Sequence, residues 1–287
     1  EGFIINEAVK KAIQTPQVQQ RSDEWFEMRK SVITGSVVDT LLGNNPYQKA
    51  DELLLEKSGM ASTFTGNAAT RWGTYYEPVA IQLFQVWIEA QIDSEVAILE
   101  LGLVRHQNIK ILAHSPDGII LFKNRKPSLL EIKCPKYRKI IPNTIPTHYM
   151  GQLRLGMEVF DLEDAYFVQF QPADTLDINV LQRSSDWMPE CLPIFEKFWE
   201  DVQYWTEEGY TNHPSYKAIA SRSAKTQKTP VDTMPEHSYA HTLLLTETPV
   251  IECEAMRAEV HAPAQPSTTG DEASLTSPDT QSILDSL

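Results

Sequence analysis

The sequence is poor in cysteine and lacks long apolar runs, and each shortage excludes a class of protein. The three cysteines, Cys134, Cys191 and Cys253, lie far apart and form no Cys-x-x-Cys pair. This spacing argues against a disulfide framework, a zinc site and an iron–sulfur cluster, and it favours a reducing compartment. A membrane-spanning helix requires an uninterrupted stretch of about 18 apolar residues, and the sequence contains none. The first residues also lack the basic-then-apolar pattern of a secretory signal. An intracellular protein without membrane attachment is predicted.

An overall excess of basic residues, which many nucleic-acid-binding proteins carry, is also missing. The chain has 25 Lys and Arg against 39 Asp and Glu, a formal net charge of -14. The distribution is uneven, however, because seven basic residues and a single acid, Glu131, occur from Lys123 to Lys139. A local field of that sign attracts phosphate even on an acidic protein. The structural alternative is a solvated hairpin and loop.

The spacing of apolar residues divides the chain into helical segments around a central group of strands. Helical spacing and capping signals predict helices at about 23–29, 37–42, 51–58, 74–90, 147–160 and 194–205. Short β-branched or leucine-rich runs between turn signals predict strands at about 96–103, 109–113, 119–122, 129–132 and 165–171. Segment 59–73 is polar and rich in small residues, and is expected to be an irregular loop.

This order of elements predicts an α/β fold with a small, mixed, mostly antiparallel sheet flanked by helices. The folded domain is expected to cover roughly 21–210, after an N-terminal arm at 1–20. From 211 to 287 the composition shifts to Ser, Thr, Pro and acidic residues, which predicts a largely disordered tail. That tail holds one apolar patch at 243–245, which is either a docking peptide or without function.

One strand and the turn before it carry residue types that bind metal ions. Alternation along its strand puts Glu131 and Lys133 together on the face opposite Ile132. Asp117 occupies a Pro-Asp-Gly turn at the mouth of the preceding hairpin, where antiparallel pairing brings it towards Glu131. Two carboxylates held close together repel each other, and a bound divalent cation relieves that repulsion. Lys133 is then placed to orient an attacking water or to stabilise charge that develops on a phosphate.

Each of these residues also has a purely structural explanation. Pro-Asp-Gly is a common turn, and Glu131 with Lys133 is compatible with an ordinary salt bridge on a solvated strand. Thr74-x-x-Glu77 matches a capping box at the start of a helix, which accounts for Glu77 without a metal. The catalytic hypothesis therefore rests on the joint occurrence of these residues, in hairpin order, beside a basic cluster.

Several motifs in a fixed order give this pattern a family resemblance. His-Ser-Pro-Asp-Gly at 114–118 and Leu-Glu-Ile-Lys-Cys-Pro at 130–135 resemble the core motif of the PD-(D/E)xK nuclease superfamily. Flanking motifs resemble its lambda-exonuclease, or YqaJ-type viral recombinase, branch: Trp25-x-x-x-Arg29, Val-Ile-Thr-Gly-Ser at 32–36, Gly43-x-x-Pro46-Tyr47, Arg-Trp-Gly at 71–73 before Glu77-Pro78, and Tyr149-Met150-x-Gln152-x-x-x-Gly156-Met157. The resemblance covers roughly 20–205 and implies a restriction-endonuclease-like core.

The resemblance implies a role for each matching residue. Asp117, Glu131 and the backbone carbonyl of Ile132 would be metal ligands. Glu77 would support a second metal ion or its water, Lys133 would be the catalytic lysine, and Gln152 would lie on a helix that faces the site. A pocket for the terminal 5′-phosphate of DNA would contain Arg29, Ser36 and Ser115, and a guanidinium suits the bidentate binding of phosphate oxygens. His148 is expected at a helix start or in packing rather than as a general base.

The family also implies Mg²⁺-dependent, 5′→3′ exonuclease digestion of one strand of linear duplex DNA, with Mn²⁺ as a substitute metal. Its partners would be double-stranded DNA ends, a single-strand annealing protein and copies of itself in a ring-shaped homotrimer. A viral origin would place it in the cytoplasm or nucleus of a host cell. Three rival hypotheses stay open: a different nuclease of the same superfamily, such as an endonuclease or a repair-type exonuclease, a DNA-binding protein without catalysis, and an interaction module based in the tail.

Overall fold

In the computed structural model, helices pack on both faces of a mixed sheet. The structure describes residues 2–62, 66–92, 94–172, 175–226 and 250–251. The helices are α1 (Glu7–Gln14), α2 (Asp23–Lys30), α3 (Gly35–Leu41), α4 (Ala50–Lys57), α5 (Ala68–Ile92), α6 (Met150–Phe160), α7 (Trp187–Glu208) and α8 (Tyr216–Thr226), with 3₁₀ turns at Thr147–Tyr149 and Tyr210–Asn212. The strands are β1 (Ile33–Thr34), β2 (Val96–Leu99), β3 (Val104–Arg105), β4 (Leu112–His114), β5 (Gly118–Phe122), β6 (Ser128–Lys133), β7 (Asp164–Gln171), β8 (Thr175–Gln182) and β9 (Val250–Ile251). None of these described helices has the length and apolarity needed to cross a membrane.

The main sheet has six strands in the order β8-β7-β6-β5-β2-β9. Strand β6 runs parallel to β7 and β9 runs parallel to β2, whereas the other neighbouring pairs are antiparallel. A second sheet has the order β1-β4-β3, with β1 parallel to β4. The α/β class predicted from the sequence, a small, mixed, mostly antiparallel sheet flanked by helices, is confirmed.

Side chains that alternate along the main sheet form two separate cores. On one face, Leu129 and Phe167 pack with buried residues of α1, α3, α6 and α7. On the other face, Leu130 and Ile132 pack with buried residues of α5. Successive side chains of a strand point to opposite faces, so Glu131 lies on the α6 face together with Leu129.

Helix α5 begins earlier than the sequence analysis predicted. Asn67 Oδ1 accepts hydrogen bonds from the backbone N–H groups of Ala69 at 2.9 Å and Thr70 at 3.0 Å, as an N-cap side chain does. Thr74 and Glu77 consequently lie inside the helix rather than at its start. The capping-box explanation of Glu77 is therefore wrong, and the expected irregular loop does not extend beyond Asn67.

The structure also contains elements that the sequence analysis did not predict. Helix α1, in the predicted N-terminal arm, buries Val9 and Ile13 completely in the core, which stabilises the fold by about 1.5–3 kcal/mol for each side chain. Helix α8 covers the first part of the predicted tail, and β9 pairs with β2. Most of the tail, including the apolar patch at 243–245, lies outside the described residues.

Candidate active site

The β5–β6 hairpin brings the two predicted carboxylates together. Gly118 at the start of β5 pairs with Leu130 in β6, so Asp117 lies beside the end of β6. Its Oδ2 accepts a hydrogen bond from the backbone N–H of Ile132 at 2.7 Å. The Pro-Asp-Gly turn thus fixes the Asp117 carboxylate against the strand that carries Glu131, as the antiparallel pairing predicts.

The ammonium group of Lys133 lies where three oxygens converge. Its Nζ is 3.0 Å from the carbonyl oxygen of Ile132, 3.2 Å from Glu131 Oε2 and 3.5 Å from Asp117 Oδ2. These are the oxygen donors to which the family resemblance assigns metal binding. Because a positively charged group already lies among them, their arrangement suits a cation.

Glu131 has two further hydrogen-bond donors from neighbouring elements. His114 Nε2, at the end of β4, lies 2.7 Å from Glu131 Oε1, and Gln152 Nε2, in α6, donates to Oε2 at 2.7 Å. The side chains of His114 and Glu131 are each 1% exposed, and a buried carboxylate without such partners is costly. Gln152 faces the site as expected. The sequence motifs indicate no role for His114, because nothing along the chain shows that β4 lies against Glu131.

Two glycines provide the space that the His114 imidazole occupies. A Cβ on Gly35 would lie 2.2 Å from His114 Nδ1, and a Cβ on Gly156 would lie 2.9 Å from Nε2. Gly35 begins α3 and Gly156 belongs to α6, so the ring is clamped between two helices. Both glycines therefore contribute to the position of Glu131 through His114.

A buried carboxylate in α3 orients helix α6. Asp39, 3% exposed, accepts hydrogen bonds from the backbone N–H groups of Gly151 at 2.8 Å and Gln152 at 3.3 Å. The first turn of a helix leaves such N–H groups without partners in the helix itself. Burial raises the pKa of Asp39, although hydrogen bonds from Asn44 and from these two N–H groups act in the opposite direction. The contact fixes the end of α6 that presents Gln152 to Glu131.

The electrostatics of the site reflect an excess of buried negative charge. Burial raises the pKa of Asp117 to about 8, with contributions from Glu131 and Glu77, while Lys133 acts in the opposite direction. Burial also acts to raise the pKa of Glu131, but Lys133 and His114 outweigh it and lower that pKa below its ordinary value. Burial acts to lower the pKa of Lys133, but the two carboxylates raise it well above its ordinary value. Additional positive charge would therefore stabilise the ionised form of Asp117.

Glu77 approaches the same site from α5. It lies close enough to Asp117 to raise the pKa of that carboxyl group. Its Oε2 accepts a hydrogen bond from Arg21 Nη2 at 2.9 Å. Arg21 has a φ of 68°, in the left-handed region that costs a non-glycine residue about 1–2 kcal/mol. Arg21 is therefore a neighbour of the site that the motifs did not indicate.

A second polar cluster, beside α2, contains the predicted phosphate-binding residues. Arg29 Nη2 donates to Ser36 Oγ at 2.6 Å, and the Arg29 guanidinium lies 4.3 Å from the Trp25 ring centroid. The Trp25 indole Nε1–H donates to Ser115 Oγ at 3.0 Å. The structure thus brings Arg29, Ser36 and Ser115 together, and Trp25 connects them.

Arg29 has another cation beside it rather than a counter-ion. Burial lowers the pKa of Arg29 to about 10. Burial lowers the pKa of Lys57 to about 7, and the charge of Arg29 contributes to that shift. Lys57 Nζ donates to the carbonyl oxygens of Arg29 and Val32. Within the described ranges, neither cation forms an ion pair with a carboxylate, so this cluster suits an anion such as phosphate.

The basic cluster at 123–139 divides into two parts. The residues before Pro127 pair with acids: Lys123 with Glu95, Arg125 with Asp164, and Lys126 with Glu163. Of the others, Lys133 at the end of β6 and Arg138 lie near the candidate site, where the Arg138 guanidinium is 6.0 Å and Lys133 Nζ is 5.6 Å from the Tyr149 ring centroid. Within this basic cluster, Lys133 and Arg138 therefore provide the positive charge that lies close to the candidate site.

The donors around Lys133 fit a hard divalent cation. Asp117, Glu131 and the Ile132 carbonyl offer only oxygen, and Mg²⁺ is commonly bound by one or two carboxylates together with waters. Across the described part of the chain, no three His, Cys, Asp or Glu side chains form a group that would hold a metal ion by themselves. Burial raises the pKa of the Cys134 thiol to about 12, which disfavours a thiolate ligand. The site therefore suits Mg²⁺ better than Zn²⁺.

Comparison with known proteins shows that the sequence is similar to those of viral proteins. Protein D345L of African swine fever virus (strain Badajoz 1971 Vero-adapted) is 31% identical over 164 residues, which cover 48% of this chain and 46% of the viral protein. Uncharacterized protein R354 of Acanthamoeba polyphaga mimivirus is 28% identical over 167 residues, which cover 54% of this chain and 29% of the viral protein. The matched region thus spans about half of the first relative and less than a third of the second.

A solved structure and a family match agree with the fold and the motifs. The alkaline exonuclease from Laribacter hongkongensis superimposes with a TM-score of 0.51 at 20% identity, covering 71% of this chain and 100% of that chain. At this identity the likeness concerns the fold, and it supports the restriction-endonuclease-like core. Residues 24–163 match the family described as YqaJ-like viral recombinase domain. The resemblance carried by the motifs is thereby confirmed for residues 24–163, which are similar to the members of that family.

Proposed function

We propose that this protein is a metal-dependent deoxyribonuclease that degrades one strand of linear duplex DNA from its 5′ end. The observation that carries the proposal is the convergence of Asp117, Glu131 and the Ile132 carbonyl on a single cationic group, that of Lys133. Paired carboxylates with a neighbouring lysine suit phosphodiester hydrolysis, in which negative charge develops on the phosphate. The YqaJ-like domain, and a structural neighbour named as an alkaline exonuclease, support a nuclease.

In the proposed mechanism, Asp117, Glu131 and the Ile132 carbonyl would hold Mg²⁺, for which Mn²⁺ is an expected substitute. When bound, such an ion lowers the pKa of a coordinated water and polarises a phosphoryl oxygen. Lys133 donates a hydrogen bond to the attacking water or to the phosphate and stabilises the developing charge. Glu77 would support a second ion or its water. Gln152 donates to Glu131 and keeps that carboxylate oriented.

The second cluster binds the terminal 5′-phosphate of the strand that is digested. Arg29, Ser36 and Ser115 surround this pocket, and the Arg29 guanidinium has no carboxylate partner among the described residues. A phosphate would provide it with charge-assisted, bidentate hydrogen bonds. A pocket that recognises a terminal phosphate selects DNA ends rather than internal bonds. This selectivity favours an exonuclease over an endonuclease.

Further parts of the proposal concern the whole protein. The catalytic domain covers about 21–210, between an arm at 1–20 and a tail at 211–287. The protein acts on double-stranded DNA ends inside a host cell, in the cytoplasm or nucleus. It works with a single-strand annealing protein and assembles as a homotrimer. These statements rest on the family resemblance, whereas the catalytic and phosphate-binding roles also rest on contacts within the site.

Digestion of linear duplex DNA labelled at either the 5′ or the 3′ end tests the proposal. We expect Mg²⁺-dependent release of the 5′ label and little cutting of closed circles. Lys133→Ala should lower the rate by about 100-fold or more, because it removes a charge-stabilising donor, while duplex binding is retained. Efficient cutting of closed circles would favour the endonuclease hypothesis. No metal-dependent cleavage of any substrate would favour a DNA-binding protein without catalysis.

Arg29→Ala tests the phosphate pocket, with Lys30→Ala as its matched control. Lys30 is the exposed neighbour of Arg29 and pairs with Glu27. The Arg29 variant should digest 5′-phosphorylated ends more slowly and 5′-hydroxyl ends at the rate of the wild type, so that the preference disappears. The Lys30 variant should keep the preference. Equal slowing of both kinds of end in the Arg29 variant would contradict the pocket.

A further inference from the structure

A row of three rings leads away from the active site. Lys133 Nζ is 5.6 Å from the ring centroid of Tyr149, and the ring centroids of Tyr149 and His148 are 4.2 Å apart. The His148 ring is in turn 6.0 Å from that of Tyr47. We call Tyr149, His148 and Tyr47 the aromatic row. It starts at the catalytic lysine and ends at the surface.

Exposure increases along the aromatic row. Tyr149 is half-buried and packs against Phe167, with ring centroids 5.4 Å apart. Tyr47, at the other end, is 78% exposed. Its backbone N–H donates to Asn45 Oδ1 at 2.9 Å, and Asn45 Nδ2 donates to Thr40 Oγ1 of α3 at 2.8 Å, so the loop is anchored although the ring projects into solvent. A single exposed aromatic side chain is ordinary on a protein surface, but a connected row that reaches a catalytic lysine calls for a binding role.

Basic groups accompany the row. The Arg138 guanidinium lies 6.0 Å from the Tyr149 ring centroid, and a hydrogen bond of 2.7 Å to the buried Gln169 fixes its position. Lys133 Nζ, 5.6 Å from the same ring centroid, is the second positive group beside the row. Positive groups interleaved with rings are the combination that binds single-stranded nucleic acid. The phosphates follow the cations, and the bases stack on the rings.

His148 in the middle of the row suits this use. Burial and the charge of Arg138 lower its pKa, which favours a neutral ring that stacks without an added charge. Its Nε2 is buried and has no hydrogen-bond partner within the described part of the chain. The ring therefore contributes packing to the row rather than an ion pair.

We propose that the aromatic row binds the unpaired bases of a single strand of nucleic acid at the active site. In a duplex the faces of the bases are covered by their neighbours, so a base can stack on a protein ring only after the strand is separated. The inference rests on the proposed nuclease function and extends it. The form of substrate held beside Lys133 is an unpaired strand rather than intact duplex.

Binding of a fluorescein-labelled oligothymidylate with a 5′-hydroxyl, in EDTA, tests the proposal on the full chain. Tyr47→Ala should weaken binding by about 5- to 150-fold, the equivalent of about 1–3 kcal/mol for one stacked base. Tyr47→Phe keeps the ring and should bind within about twofold of the wild type. Tyr204→Ala is the matched control, because Tyr204 is 54% exposed and lies on α7, outside the row.

The outcomes distinguish this proposal from the nuclease function. Unchanged affinity in Tyr47→Ala, an equal loss in Tyr204→Ala, or no binding by the wild type would overturn the role of the aromatic row. Metal-dependent digestion from 5′ ends together with Tyr47-independent binding would overturn this inference alone. Binding that depends on Tyr47, in a protein that cleaves no DNA, would support the row and contradict the nuclease function.

Discussion

Removal of the His114 imidazole would show how far the active site depends on a residue to which the sequence motifs assign no role. In His114→Ala, Glu131 Oε1 loses its partner at 2.7 Å, whereas Gln152 and Lys133 remain at Oε2. Both side chains of the lost pair are 1% exposed, so water does not readily replace the imidazole. We expect a less stable protein that also binds Mg²⁺ more weakly.

The expected magnitudes follow from the burial of the pair. A hydrogen bond to a charged group contributes about 1.5–3 kcal/mol, and loss of the ring also leaves a cavity between Gly35 and Gly156. The lost hydrogen bond and the cavity together give an expected loss of about 2–5 kcal/mol in the free energy of unfolding. Loss of a residue that orients a metal ligand typically weakens metal binding about 10- to 100-fold.

Two measurements on two variants test this prediction. Urea unfolding in EDTA gives the free energy of unfolding, and calorimetric titration with Mg²⁺ gives the affinity. His114→Gln keeps an N–H donor at a similar reach, so it should retain more of both quantities than His114→Ala. If His114→Ala bound Mg²⁺ like the wild type and unfolded within about 0.5 kcal/mol of it, the reasoning would be refuted. If His114→Ala and His114→Gln were equally destabilised and neither changed the Mg²⁺ affinity, His114 would act only through packing.

Other substitutions test the elements around the site. Gly156→Ala would place a methyl group 2.9 Å from His114 Nε2 and 2.5 Å from Leu129 Cδ2, so the melting temperature should fall and Mg²⁺ binding should weaken. An unchanged melting curve would contradict the tight packing of His114 between α3 and α6. Because burial raises the pKa of Asp39, the folded protein retains a proton that the unfolded chain releases above about pH 4. As pH rises from about 4 through the raised pKa of Asp39, the free energy of unfolding of the wild type should therefore fall relative to that of Asp39→Asn. If urea unfolding gave the same difference between the two proteins at every pH, the raised pKa would be contradicted. Trp25→Phe removes the donor to Ser115 and should reduce the preference for 5′-phosphate over 5′-hydroxyl ends about 2- to 10-fold, as the ratio of digestion rates would show.

Local signals predict the helix boundaries in this chain where a single residue determines them. Ser22 accepts a hydrogen bond from the backbone N–H of Trp25 at 3.2 Å and caps α2. Gly43 follows α3 with a φ of 76°, and Gly209 follows α7 with a φ of 85°. Capping side chains and glycines with positive φ act through their immediate neighbours, so the few residues around each helix end are enough to predict it.

Elements that depend on distant partners are not predictable in this way. Strand β8 is a partly exposed strand at the edge of the main sheet, and it pairs with β7 along its length. Strand β1 has only two residues, and its partner β4 lies far along the chain. The preference of a segment for a strand depends on its neighbours in the sheet more than on its own composition. Such pairings are therefore not specified by any local run of residues.

The contacts of the candidate site likewise include some that local sequence predicts and some that depend on distant segments. Asp117, Glu131 and Lys133 are close together because one hairpin carries them, and turn chemistry with alternation is enough to predict their contact. His114 contacts Glu131 from a different sheet, and Arg21 contacts Glu77 from the segment just before α2. Their residue types do not predict these contacts, because a buried histidine or an exposed arginine occurs in many other structural settings. Only the packing of separate segments reveals these two contacts.

The same packing resolves the conflict between an acidic chain and a phosphate substrate. At physiological ionic strength, exposed charges more than about 8 Å apart are largely screened, so the net charge of -14 acts weakly on a phosphate at the site. Acids such as Glu95 and Asp164 are moreover paired with lysine and arginine at the far end of the hairpin. The cations nearest the proposed phosphate positions, Lys133 and Arg29, are partly buried, and screening there is weaker. Overall charge is therefore a poor guide to function in this protein, because the local groups dominate the field that a DNA end encounters.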